Sequence, residues 1–415
     1  MSDSDRILII GAGQAGARAA EALRGAGFAG SVTLVGDEAE PPYERPALSK
    51  GVLLGDEAPE STFIHAREAW GAKGVDLVTG VRAEAIAPGS RSVLFSDGRR
   101  LGYRHLILAT GSRVRPLIGV DDTLGGVHYL RTIADAKRLA RELVPGRRMV
   151  VIGGGFIGLE VASTAAKRGL RVTVVERQPA LLERALPTDI AAAVEQMHRV
   201  RGVDVRLGAA VAGLHGTGRV SSVGLADGTE LPADVVVIGI GIIPNTELAE
   251  AAGAQSADGV VTDEFGRTSV EGLWAAGDVT SHYNPVLGRR LRLESWQNAQ
   301  NQAIAVAKNT IGAPVAYAEV PWFWSDQHGV NIQVAGMAEP GARTVWRGDP
   351  ATGKAVAFSL LGERIVCATA FNAGGEIRFA RKLIESRRSV QATALADAGT
   401  KLKDLAAPAQ VGAAA

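Results

Sequence analysis

Ile7-Leu8-Ile9-Ile10-Gly11-Ala12-Gly13-Gln14-Ala15-Gly16 decides the reading of the fold. Four consecutive apolar residues have the length and branching of a buried parallel strand, and the glycine turn behind them opens onto helical spacing through residue 22. The three glycines have distinct uses. Gly11 permits the tight turn, Gly13 lets backbone N–H groups approach a pyrophosphate, and Gly16 lets helix and strand pack closely. Glycine-rich βα turns are common, so one copy alone is weak evidence of a nucleotide site.

A second copy removes that ambiguity. Val150-Val151-Ile152 runs into Gly153-Gly154-Gly155-Phe156-Ile157-Gly158, again followed by helical spacing. Each copy leads to a further apolar strand, Val32-Thr33-Leu34-Val35 in the first and Val172-Thr173-Val174-Val175 in the second. Two βαβ units recur in one chain. Apolar runs at 106–109 and 235–240 end in the turns Ala109-Thr110-Gly111 and Gly239-Ile240-Gly241, and each is expected to extend its own parallel sheet. After residue 315 the pattern changes to strands at 330–334 and 355–360, which predict a third, mixed domain. The fold class is α/β: two Rossmann-like dinucleotide-binding domains and a C-terminal α+β domain. Its expected boundaries are 1–112 with 246–318, 113–245 and 319–403, and 404–415 is expected to be a loose tail.

An acid about 20 residues after the glycine turn accepts hydrogen bonds from the adenosine ribose. In the first unit Asp37 is the candidate, with Glu38 as its competitor, because Gly36 takes the place directly after the strand. In the second unit Glu176 ends the strand. A carboxylate there accepts from both ribose hydroxyls and repels a 2′-phosphate, so NADH is preferred over NADPH even with Arg177 adjacent.

Composition narrows the function classes. A net charge of +1 over 415 residues supplies no global field for nucleic acid or anionic lipid. One cysteine, Cys367, excludes an intrachain disulfide and any cysteine-built zinc or iron–sulfur centre, so no metal site is expected. The polar N-terminal residues lack a secretory pattern, no run is long and apolar enough to span a bilayer, and a cytoplasmic location is expected.

Thr268-Ser269-Val270-Glu271-Gly272-Leu273-Trp274-Ala275-Ala276-Gly277-Asp278 resembles the second FAD fingerprint of two-dinucleotide-domain flavoproteins, whose Asp binds the ribityl chain. FAD would then span the first unit and the segment after about 245, with the second unit inserted for NADH. The wider resemblance is to the NADH:ferredoxin reductases that serve bacterial oxygenases and cytochromes P450. It is carried by Pro42-Tyr43-Glu44-Arg45-Pro46-Ala47-Leu48-Ser49-Lys50, Tyr129-Leu130-Arg131-Thr132, Gly155-Phe156-Ile157-Gly158-Leu159-Glu160 and Pro321-Trp322-Phe323-Trp324-Ser325-Asp326-Gln327.

That resemblance implies FAD contacts at Ala15, Asp37, Arg45, Lys50, Val81, Arg131, Asp278 and Trp296, beside the turn residues Gly11, Gly13, Gly16, Ala109, Thr110 and Gly111. NADH contacts are expected at Gly153, Gly155, Ile157, Gly158, Glu176 and Gly241, with Trp324 on the flavin side of the third domain beside Trp322. Lys50 and Glu160 are the implied catalytic pair. In the family the lysine lies near flavin N5 and pairs with the glutamate, and a cation there favours the negative charge that arrives with hydride. Disulfide-reducing relatives carry a Cys pair, and NADH oxidases and peroxidases a single Cys, where residues 45–53 here have none.

Electrons are therefore expected to leave for an external [2Fe-2S] ferredoxin, docked on a basic rim drawn from Arg289, Arg290, Arg292, Arg378, Arg381, Lys382, Arg387 and Arg388. A monomer or weak homodimer is expected. Rubredoxin reductase, an NADH oxidase, and an NADH-sensing flavoprotein resembling apoptosis-inducing factor remain alternatives.

Overall fold

Two five-stranded parallel sheets organise the chain, alike in their inner strand order, as described over residues 5–407 of a computed structural model. The first runs Leu273–Ala275, His105–Leu108, Arg6–Ile10, Ser31–Val35, Val75–Val78. The second runs Val127–His128, Val235–Ile238, Arg148–Ile152, Arg171–Val175, Asp204–Arg206. In each, the founding strand sits between its sequence neighbour and a strand from much later, with Ile10 level with Val35 and Leu108, and Ile152 level with Val175 and Ile238. The order of the sheet reverses there, and open α/β sheets bind ligands at the carboxyl end of such a point.

Apolar burial explains why these runs became strands. Ile7, Leu8, Ile9, Leu106, Ile107 and Leu108 are wholly buried, as are Val151 and Val235. Each such side chain contributes about 1.5–3 kcal/mol by leaving water. Helix Gln14–Gly25 covers the first sheet with a stripe of Ala15, Ala17, Ala19, Ala20 and Leu23, small enough to let helix Trp296–Thr310 pack closely against it.

The chain divides into two compact units. One holds the residues up to Arg115, Arg131–Ile133 and Ile242–Glu319, and the other holds Pro116–Leu130, Ala134–Gly241 and the residues from Val320 on. The crossing points follow from a two-stranded ribbon, Ser112–Val114 against Ile242–Pro244, which keeps both ends of the inserted segment in the first unit. The C-terminal antiparallel sheet, in the order Trp322–Gln327, Val330–Gly336, Arg364–Phe371, Lys354–Leu361, Arg343–Asp349, falls within the second unit under helix Gly374–Ser386. Leu402–Leu405 is a short helix that overlaps the start of the expected tail, and residues 408–415 lie outside the described residues. Among the described residues no helix is long and apolar enough to cross a membrane.

Two buried imidazoles make the fold acid-sensitive. Burial pushes His198 down to about 4, and burial together with Arg290 pushes His282 down to about 4. Above the ordinary value of 6.5 neither the folded nor the unfolded chain protonates them, so their contribution is fully present. As pH falls from 6.5 toward 4 only the unfolded chain takes up the protons, and stability is lost. At pH 5 the loss is about 2 kcal/mol per histidine. Urea midpoints measured at pH 7.5 and pH 5 should therefore separate clearly, and equal midpoints would contradict the neutral burial of both rings.

Candidate active site

In the first unit the glycine turn is a cradle. Gly11 has φ +108°, and a Cβ built on it would fall 2.1 Å from the Ala109 carbonyl oxygen, so both the backbone conformation and the close approach require glycine. A Cβ on Gly16 would fall 1.9 Å from the Gly11 carbonyl oxygen, whereas one on Gly13 meets nothing within 4 Å. The outer glycines are thus packed, and the middle one faces open space at the N-terminus of Gln14–Gly25, which no side chain caps. Exposed N–H groups at a helix start are what a pyrophosphate needs.

The remaining candidates of this unit gather round that turn. Gly277 carries its backbone to Ala15, since a Cβ there would lie 3.0 Å from the Ala15 methyl. Asp278 follows at the strand end and accepts from Ser112 Oγ (3.2 Å) and from Arg131 Nη2 (3.2 Å). Arg131 also donates to the Ser112 carbonyl (3.1 Å), while Thr110 Oγ1 donates to the Asn245 carbonyl (2.9 Å) and holds the Ala109-Thr110-Gly111 turn. Trp296 opens its helix, and with the Gln14 amide turned so that its oxygen faces the donors around it, Trp296 Nε1 donates to that oxygen (3.1 Å), joining two helix N-termini. Val81 N donates to the Gly36 carbonyl (3.0 Å), which places it beside the end of the second strand.

Arg45 has a structural task that the motif did not reveal. Its guanidinium donates to Glu38 Oε1 (2.6 Å), to Tyr43 Oη (2.7 Å) and to the Arg131 carbonyl (2.6 Å), and Tyr43 donates to Glu38 Oε2 (2.5 Å). Burial pushes the Tyr43 phenol well up, so it is a neutral donor. Glu38 is engaged in this knot and the exposed Asp37 is the acid left facing outward. Lys50 is half-buried, with Nζ donating to the Pro46 carbonyl (3.1 Å). Tyr43, Ser112 and Asn245 were missed as single residues. Tyr43 and Ser112 lie in or directly after motifs already singled out, but Asn245 carries no local signal.

The second unit repeats the cradle. Gly153 has φ +108° and a Cβ there would lie 2.4 Å from the Gly239 carbonyl oxygen; one on Gly158 would lie 2.3 Å from the Gly153 carbonyl oxygen; one on Gly155 meets nothing within 4 Å. Gly155 N-caps helix Phe156–Lys167 without a side-chain bond, and Ile157 beside it is 49% exposed, unusual for isoleucine. Glu176 folds over the turn, accepting from Gly154 N (2.6 Å) and Gln178 N (2.8 Å), and each carboxylate oxygen keeps a second lone pair. Gly241 faces Arg184, an exposed arginine that sequence reasoning missed because nothing local marks it.

Glu160, on the same helix, is 2% exposed and accepts from Ser325 Oγ (2.6 Å). Trp324 stacks on Trp322 at 5.4 Å.

Two arginines of the expected basic rim also have partners within their own unit. Arg290 donates to the Thr262 and Ser281 carbonyls, and Arg292, 14% exposed, pairs with Asp258 and Glu294. These charges brace their own unit. Isolated sequence runs of arginine do not show the carboxylates and carbonyls that the fold brings to them.

Both cradles fit a dinucleotide by the same test, packed outer glycines and an open middle one. The pyridine nucleotide-disulphide oxidoreductase family matches residues 5–303, and the reductase C-terminal family matches residues 322–406. The chain is 44% identical over 401 residues to the ferredoxin–NAD(+) reductase component of the anthranilate 1,2-dioxygenase system of Burkholderia cepacia, covering 96% of this chain and 99% of that protein. It is 38% identical over 416 residues to putidaredoxin reductase of Pseudomonas putida, with 99% of each chain covered. The crystal structure of the covalent putidaredoxin reductase–putidaredoxin complex matches with a TM-score of 0.93 at 37% identity, over 96% of this chain and 97% of that one.

Proposed function

Because the chain belongs to the pyridine nucleotide-disulphide oxidoreductase family and continues into a reductase C-terminal domain, we propose that it is an FAD-dependent NADH:ferredoxin reductase feeding an oxygenase or cytochrome P450. The observation that carries this reading is two cradles of one geometry in a chain without a usable thiol. Cys367 is wholly buried and burial pushes its thiol up to about 12, so it is no relay at neutral pH.

Bound FAD supplies what side chains lack, taking up two electrons as hydride and giving them up singly. The protein does the holding. In the first unit the helix start behind Gly13 seats the FAD pyrophosphate, Asp37 accepts from the adenosine ribose, and Asp278, steadied by Arg131 and Ser112, accepts from the ribityl hydroxyls. Lys50 supplies the positive charge for the hydride-accepting end. In the second unit the helix start behind Gly155 seats NADH, and Glu176 reads its ribose. The acceptor is a [2Fe-2S] ferredoxin.

Glu176→Ala removes the carboxylate that a 2′-phosphate would meet. The preference for NADH over NADPH, read as the ratio of kcat/KM, should shrink about 10-fold, the size of one lost charge contact. An unchanged ratio would remove Glu176 from ribose recognition.

The function itself is tested with the purified yellow protein, NADH and a panel of [2Fe-2S] ferredoxins, with cytochrome c as terminal acceptor. Reduction of cytochrome c should depend on a ferredoxin. Equal NADH consumption with and without every ferredoxin would point to an oxidase and overturn the reading.

A further inference from the structure

Strand Trp322–Gln327 turns alternate side chains to opposite faces, and one face meets a single stripe of helix Phe156–Lys167. Phe323 packs edge-on against Phe156 (4.9 Å), Ser325 reaches Glu160, and His328 N donates to Ser163 Oγ (2.6 Å), so partners fall at helix positions 156, 160 and 163. From Glu160 the hydrogen bonds continue. Gln327 Nε2 donates to Ser325 Oγ (2.9 Å), Gln327 Oε1 lies 2.9 Å from His198 Nε2, and His198 Nδ1 lies 3.0 Å from His328 Nε2. Ser325, Gln327 and His198 have no exposed surface, and His328 is half-buried.

The chain has one direction. Gln327 gives its amide hydrogens to Ser325, so its oxygen is left to accept and His198 Nε2 must donate. A neutral His198 then accepts at Nδ1, and His328 Nε2 must donate to it. Ser325, already receiving a hydrogen from Gln327, directs its own to Glu160. Every donor in the series points toward one carboxylate, and hydrogen bonds aligned this way polarise and stiffen one another.

We propose that Ser325 and Gln327 are positioning residues for hydride transfer, which with His198 and His328 hold the Glu160 carboxylate in one orientation. This gives the Trp-Phe-Trp-Ser-Asp-Gln motif a task beyond packing. It rests on the reading, implied by the family resemblance, that Glu160 is the carboxylate of the catalytic pair with Lys50.

The test compares Ser325→Ala, Ser325→Thr, Glu160→Gln and the double variant Ser325→Ala/Glu160→Gln by anaerobic stopped-flow reduction of the bound flavin with NADH. Ser325→Ala should slow reduction about 10-fold at saturating NADH, since loss of orientation by an ångström is enough for that. Ser325→Thr, which keeps the hydroxyl, should restore the rate, and Ser325→Ala should add nothing in the Glu160→Gln background.

A readout independent of turnover is the ring-nitrogen NMR spectrum of the imidazoles at pH 7.5. His198 should be the neutral tautomer protonated at Nε2, and Ser325→Ala should shift that signal. If Glu160→Gln slows reduction and Ser325→Ala does not, or if His198 carries its proton at Nδ1, the relay is overturned while the function stands. If Glu160→Gln leaves the rate unchanged, the role assigned to Glu160 falls and the relay's purpose with it.

Discussion

Replacing Lys50 with alanine is expected to slow reduction of the bound flavin by NADH about 10²–10³-fold, the usual loss when one preorganised charge or donor is removed from where negative charge develops. The residue is half-buried and its Nζ is anchored on the Pro46 carbonyl, so its ammonium is held by backbone instead of moving with solvent. An anchored charge needs little reorganisation at the moment of transfer. None of the groups that build the glycine cradle is touched, so FAD content and reduction by dithionite should be unchanged. Rapid-mixing measurements of flavin bleaching under anaerobic conditions decide the matter. A rate equal to that of the unaltered protein would leave Lys50 as an ordinary loop lysine.

The second large effect is expected at the other cradle. Gly155→Asp places a carboxylate at the N-cap of helix Phe156–Lys167, where a Cβ meets no atom within 4 Å. Aspartate is a favourable N-cap residue, so the fold should hold or gain slightly. The new charge, however, sits where the NADH pyrophosphate is seated. Two like charges about 5 Å apart at an effective dielectric constant of about 20 repel by about 3 kcal/mol, which weakens NADH binding about 100-fold. FAD content should stay normal because the substitution lies in the second unit. The paired variant Gly13→Asp should behave oppositely, giving a chain that does not retain FAD. NADH affinity measured by flavin bleaching separates the two, and normal affinity in Gly155→Asp would show that the second cradle seats something else.

The legibility of this molecule in its sequence follows the range of the forces involved. The two βαβ units were readable because a buried parallel strand needs an unbroken apolar run and a tight turn needs glycine, and both are local demands. Gly11, Gly16, Gly153 and Gly158 are glycine because a Cβ at any of them would strike a backbone carbonyl within 2.4 Å. Asp278 was readable through the strand-end motif it closes, and it does lie with Arg131.

What depends on distant partners was not readable. Spacing favours Asp37 over Glu38 only by one residue, and the sequence does not show Arg45 and Tyr43 closing round Glu38. Arg290 and Arg292 show their charge in the sequence but not the carbonyls of Thr262 and Ser281 or the carboxylates of Asp258 and Glu294 that meet them. The series from His328 to Glu160 joins three segments, and no spacing rule links residues 160, 198 and 325.

This chain is expected to carry one two-electron centre and no sulfur relay. Anaerobic titration with NADH reads that stoichiometry. One equivalent of NADH per bound FAD should complete reduction, and each NADH oxidised in turnover should yield two reduced ferredoxins. A requirement for two equivalents, which would reveal a second two-electron group in the protein, or a yellow protein that NADH cannot bleach, would contradict it.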